Sequence, residues 1–139
     1  MRKIDRVFLT ETDYSPALKV ESKDPERLFE LRTYTTHEGR RDNINKRFRD
    51  HTCALFTKHG ITNLLYCDLM EDQEAADITL TYLIAHDDEN ARAASWEAFR
   101  KDPVWQAARK ASQTDGPILL KKGGVKSILL DPVDYSKMK

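Results

Sequence analysis

The chain has 139 residues, 40 % of them hydrophobic and 33 % charged, and its 23 basic and 23 acidic side chains cancel; this is the balance of a soluble globular protein with room for one core. That neutrality gives no footprint for nucleic acid or an anionic membrane, no apolar run is long enough to span a bilayer, and the opening MRKIDRVFL lacks the apolar stretch of a signal peptide. Cys53 and Cys67 are too few for a disulfide framework and lack metal-site spacing, so the expectation is a reducing, cytoplasmic setting with no metal.

The first β-prone segment is Arg6 to Thr12, inside RVFLTETDYSP. It is echoed near the other end by SILLDPVDYSK, with Asp13-Tyr14-Ser15 matching Asp134-Tyr135-Ser136. LFELRTYTT, residues 28–36, follows as a strand between Pro25 and Gly39. Its alternation places Phe29, Leu31 and Thr33 on one face and Glu30, Arg32 and Tyr34 on the other. RRDNINKRFRDHTCALFTKH then carries Ile44, Phe48, His51 or Thr52, and Leu55 at helical spacing, with Gly60 placed to end the helix. Two β-rich runs, 61–70 and 77–86, flank a short acidic loop and form a hairpin. A second helix starts at Asp87-Asp88 and restarts at Asp102-Pro103, since aspartate caps and proline suits a first helical turn. VKSILLD, residues 125–131, is the last strand.

From residue 28 onward the order is βαββαβ. That predicts an α+β, ferredoxin-like fold: an antiparallel sheet with both helices on one face. Two helices cover one face of such a sheet, and the other needs a partner. The expectation is that Glu30, Arg32 and Tyr34, with Tyr66 or Tyr82 from the hairpin, lie on this uncovered face. A second copy packing sheet to sheet would then enclose a polar-aromatic cavity between the two.

Within that cavity, Arg32 would anchor an anionic ligand with Glu30 adjusting it, or the two would form an ion pair across the interface. His51, beside Phe48 and Leu55, is a candidate acid, base or ligand group as well as an ordinary boundary histidine. Trp96 and Tyr82 would stack on or hydrogen-bond to a flat ligand, or simply pack. No histidine or carboxylate stands one helical turn after His51 to complete a metal pair, and no serine-hydrolase elbow is present.

Three stretches are distinctive together: FELRTYTTHEGRRDNINKRFRDHTCALFTKHGITNLLY, LTYLIAHDDENARAASWEAFRKDPVWQAARKAS and SILLDPVDYS. In these segments and their order the chain resembles the NIPSNAP family over residues 28–136, leaving an N-terminal extension at 1–27 and a tail at 137–139. The resemblance implies a ferredoxin-like domain that pairs into a homodimeric α+β barrel. It implies no defined activity and no cofactor, since small bacterial members generally have none assigned. The function expected is therefore binding of a small molecule or partner in or near the inter-sheet cavity. The alternative is a cofactor-free monooxygenase or haem-degrading enzyme, as found among dimeric α+β barrels. Against it, the first-strand asparagine and the helix tryptophan–histidine combination of those enzymes are not reproduced. In this family the last strand ends in a TDYSP-like phrase, so residues 8–16 look like the tail of a preceding domain. Such a segment is suited to extending a sheet edge or reaching across to a partner.

Overall fold

The alternation of the long strands and the capped helices assemble, in a computed structural model describing residues 2–139, as a five-stranded antiparallel sheet in the order β1-β3-β4-β2-β5. The strands are β1 (Leu9–Glu11), β2 (Leu28–Thr35), β3 (Thr62–Leu69), β4 (Thr79–His86) and β5 (Val125–Leu130). β2 and β4 form the centre and pair along their whole length, from Leu28 opposite His86 to Thr35 opposite Thr79. Strands β2 to β5 reproduce the ferredoxin-like arrangement, and β1 is an addition: Leu9, Thr10 and Glu11 pair with Leu69, Asp68 and Cys67 on the outer edge of β3.

The first helical region is α1 (Arg41–Arg47), a π turn (Phe48–Thr52) and α2 (Cys53–Lys58). Gly60, at φ 81°, ends it: the left-handed conformation lets the Ile61 amide return to the Phe56 carbonyl at 2.9 Å. A 3-10 turn (Ala76–Ile78) leads into β4. The second helical region is α3 (Glu89–Lys101) and α4 (Pro103–Ser112). Asp88 caps α3 by accepting from the Ala91 amide, and Asp102 caps α4 by accepting from the Val104 amide, with Pro103 in the first turn. The Asp102 carboxylate is also held by Lys58 and His59, both at 2.7 Å, which ties the end of α2 to the start of α4.

The core lies between helices and sheet. Phe48 and Phe56 from the first helical region and Trp96 and Phe99 from α3 pack onto Tyr34, Tyr66, Tyr82 and Ile84 of the sheet. Tyr66 stacks on Tyr82 with ring centroids 5.2 Å apart, and Phe48 meets both rings. The opposite face is more thinly covered. There Phe29, Leu64 and Ala85 are buried with Leu83 and Met138 against them. The C-terminal tail reaches this cluster by pairing with the extension, through bonds from Lys23 to Lys139 and from Lys139 to Glu21. β5 leaves Ile128 56 % and Leu130 42 % exposed.

The extension is anchored beyond β1. The Tyr14 hydroxyl donates to Asn45 Oδ1 at 2.7 Å, and its ring lies 5.4 Å from that of Tyr66. Asp13 pairs with Arg49 at 2.7 Å, and Ser15 Oγ accepts from the Tyr66 amide at 2.9 Å. The early TDYS phrase thus follows the edge strand β1 and fastens it to its own chain, whereas the Tyr135 of its later echo is 84 % exposed.

Candidate functional site

The alternation of β2 divides its side chains as expected, but the two sets point opposite to expectation. Glu30, Arg32 and Tyr34 face the helices, and Phe29, Leu31 and Thr33 face away. The decisive contacts are to α3: Trp96 Nε1 donates to Glu30 at 3.0 Å, and the Arg32 guanidinium lies 4.5 Å from the Trp96 ring centroid. Tyr82 joins them on the helix side. These residues therefore line no inter-sheet cavity. The polar pair can enter the core because its hydrogen bonds are met there, which removes the usual penalty for burial.

Glu30 is fully buried and surrounded by donors. One carboxylate oxygen receives His86 Nε2 and Arg92 Nε, both at 2.9 Å, along with Trp96. The other receives Ser127 Oγ at 2.7 Å, Arg32 Nη1 at 2.8 Å and Arg92 Nη2 at 3.3 Å. Burial alone would raise its pKa, but the bonds from His86, Arg92, Ser127 and Arg32 outweigh it and hold the carboxyl well below its ordinary range. Glu30 is thus a fixed anion with its lone pairs in use, and a poor general base.

Arg32 is fixed with equal strictness. Nη1 bonds Glu30, Nε donates to the Tyr82 hydroxyl at 2.9 Å, and Nη2 donates to the Tyr34 hydroxyl at 3.3 Å. Tyr82 in turn donates to Tyr34 at 2.9 Å. Burial opposes the charge on Arg32, yet Tyr82, Tyr34 and Glu30 together raise its pKa above the ordinary value. It is a permanent cation, with 14 % of its side chain still open.

That opening gives onto a cleft of about 1230 Å³ between the sheet and the α3–α4 pair. Arg32 and Tyr34 form part of its floor, and Trp96, Phe99 and Trp105 supply aromatic walls. Arg92, Arg100, Arg109 and Lys110 add positive charge, and among the described residues Glu97 is the one carboxylate in the lining. Glu97 is already paired with Lys101 at 2.6 Å. Among the described residues no imidazole or thiol lines the cleft. Such a surface can bind an electron-rich or anionic molecule by stacking and charge.

Of the residues singled out in the sequence, Glu30, Arg32, Tyr34, Tyr82 and Trp96 converge here. His51 does not. It is exposed on the π turn, and its neighbour Thr52 takes the buried position, with Oγ1 donating to the Arg47 carbonyl at 3.3 Å. A π turn adds a residue to the helical repeat, so the spacing that puts His51 beside Phe48 in a regular helix fails here. Cys53 is half-buried, and burial pushes its thiol up to about 11. Arg92, Arg109 and Ser127 escape sequence reasoning, for nothing in their local context marks them.

A model of the NIPSNAP family matches residues 29–137. The chain belongs to the NIPSNAP family. Solved structures of bacterial NIPSNAP proteins share its fold. One family protein from Agrobacterium tumefaciens str. C58 is 17 % identical with a TM-score of 0.67, covering 82 % of this chain and 100 % of its own. A second from the same organism, of unknown function, is 16 % identical with a TM-score of 0.65, covering 86 % and 99 %. A NIPSNAP domain protein from Burkholderia xenovorans is 23 % identical with a TM-score of 0.56, covering 78 % and 96 %. Comparison with curated proteins gave no match. At these identities the likeness concerns the fold, and the site has to be argued from this chain's own residues.

Proposed function

We propose that this NIPSNAP protein binds a small molecule in the cleft between its sheet and the α3–α4 pair, with Arg32 at the floor and Trp96 in the wall. The observation that carries this reading is the construction around Arg32. Glu30, Tyr82 and Tyr34 hold the guanidinium in one pose, and it still meets the cleft. Preorganised donors of this kind lower the ordering cost of binding. The tightly bonded Glu30 and the lining without imidazole or thiol favour binding over acid–base or covalent chemistry as the role of this site.

Trp96 and Trp105 are the only tryptophans of the chain, and both line the cleft. Tryptophan fluorescence therefore reports directly on occupancy. Native mass spectrometry of the purified protein should show a small added mass that is lost on denaturation, and the extracted compound should restore a fluorescence change to the stripped protein. A stripped protein whose fluorescence ignores its own extract, or a chain that never carries or takes up a ligand, would sink the reading.

The protein functions as a homodimer in this reading. Its support is the sheet face away from the helices, where Ile128 and Leu130 of β5 stand exposed beside half-buried Leu31. An apolar patch of this kind on a flat sheet suits an isologous contact with a second copy. The native mass should be twice the 16.1 kDa of the chain, and Ile128→Lys should reduce it to one. A wild-type monomer at micromolar concentration would remove this part of the proposal. The expected setting is cytoplasmic; among the described residues no helix is long and apolar enough to cross a membrane.

A further inference from the structure

Adjoining the cleft is a smaller chamber of about 350 Å³, lined by His37, Arg47, Lys121 and the loop around Pro117. Arg109 and Gln113 of α4 line both spaces. The chamber is cationic, and among the described residues no carboxylate stands in its lining.

Arg47 is the unusual member. It ends α1 with only 6 % of its surface exposed. One face of its guanidinium lies 5.0 Å from the Trp105 ring centroid, and Nη1 donates to Ser112 Oγ at 3.2 Å. Its Nε has no partner among the described residues. Burial pushes its pKa down to about 10, and the nearby Arg109 adds to the fall, which leaves it cationic at neutral pH. A buried guanidinium with an unused N–H and a second arginine beside it is costly unless an anion joins them.

We infer that Arg47, Arg109 and Gln113 form an oxyanion subsite, so that the ligand of the cleft is a flat, aromatic molecule bearing a carboxylate or phosphate group. This rests on the cleft being the ligand site. The division of labour follows from the side chains: Trp96, Phe99 and Trp105 receive the flat body, and the two arginines receive the charged end. Arginine is suited to both oxyanions because its planar N–H groups match two oxygens at once. Gln113 can donate a third bond through its amide. Lys121, in the lining of the smaller chamber, adds attraction at longer range.

The test is calorimetric titration in low-salt Tris with benzoate, phenyl phosphate and neutral benzyl alcohol. At least one of the two anions should bind roughly 10- to 100-fold tighter than the alcohol, the range expected for hydrogen bonds to a charged group. A higher affinity for benzoate assigns a carboxylate, a higher affinity for phenyl phosphate assigns a phosphate, and equal affinities assign a subsite open to both. Arg47→Met should remove most of that preference and leave the alcohol unaffected. Arg109→Gln, at an exposed position, should weaken the anion by about 10-fold without disturbing the fold. Three probes binding equally, or a preference that survives both substitutions, would overturn the subsite and leave the cleft reading standing. If none of the probes binds, both fail.

Discussion

Two buried arginine environments lie on the helix side of this sheet, and they are built in opposite ways. Around Glu30, the charges of Arg32 and Arg92 meet a carboxylate whose oxygens also take His86, Trp96 and Ser127. Around Arg47 there is a hydroxyl, an indole face and another arginine, and one nitrogen goes unused. The first cluster balances its charges within the chain and holds β2, β4, β5 and α3 together, although His86 Nδ1 is left without a partner among the described residues and an edge of Arg32 stays open to the cleft. The second is incomplete within the chain. Where a protein supplies its own counter-charges, burial of an ion signals architecture; where it withholds them, the missing charge is expected from a ligand.

The largest test of that contrast is Glu30→Ala. It would strand Arg32, Arg92, His86 and the Trp96 N–H in the core, and removal of one partner from a buried pair costs about 3–5 kcal/mol. Urea denaturation should show the loss as a lower midpoint at unchanged slope. A loss below about 1 kcal/mol would place the cluster in the range of a surface ion pair.

Acid should expose the same cluster more gradually. The folded-state pKa of Glu30 lies below that of the unfolded chain, so its contribution is fully present above the ordinary glutamate value of about 4.3. It is lost as pH falls from there toward the lower folded value, at up to about 1.4 kcal/mol per pH unit. Asp102, whose pKa is lowered by Lys58 and His59, acts in the same direction. Denaturation midpoints between pH 5 and pH 3 should fall more steeply for the wild type than for Glu30→Gln. Parallel curves would show that Glu30 has no part in the acid response.

The smallest effect is expected at His51. It is exposed and touches neither cluster, so His51→Ala should change stability by less than about 0.5 kcal/mol and leave probe binding unaltered. A loss of binding would return this histidine to the site.

Much of the fold is legible in the sequence because local rules agree with the tertiary structure. Asp102-Pro103 starts a helix, Gly60 ends one, and Phe29 to Tyr34 alternate as a strand. What alternation cannot supply is which face of β2 the helices take. Judged by residue type alone, Phe29, Leu31 and Thr33 look like the core face and Glu30, Arg32 and Tyr34 like the open one. The answer depends on Arg92, Trp96 and Ser127, which lie far along the chain and satisfy the polar set only after folding. The π turn is a second limit, because it inserts a residue into a regular repeat and exchanges His51 for Thr52. Arg47 did leave a trace: it stands three residues after Ile44 and next to Phe48, on the apolar side of its helix, where an arginine has no ordinary place. The segment Arg6–Thr12 is legible as a strand suited to a sheet edge or to a partner; its Leu9–Glu11 pair with β3 of the same chain, and the TDYS phrase that follows is tied to α1 through Tyr14 and to β3 through Ser15.

The most direct measurement of the contrast is the unfolding free energy of Arg47→Met beside that of Glu30→Gln, in buffer free of phosphate and carboxylates. Methionine keeps an apolar stem and removes an uncompensated buried charge. The ligand-free Arg47→Met protein should therefore be within about 1 kcal/mol of wild type or more stable, while Glu30→Gln is clearly weakened. If Arg47→Met is destabilised as much as Glu30→Gln, Arg47 is already satisfied within the chain, and the distinction between the two clusters falls.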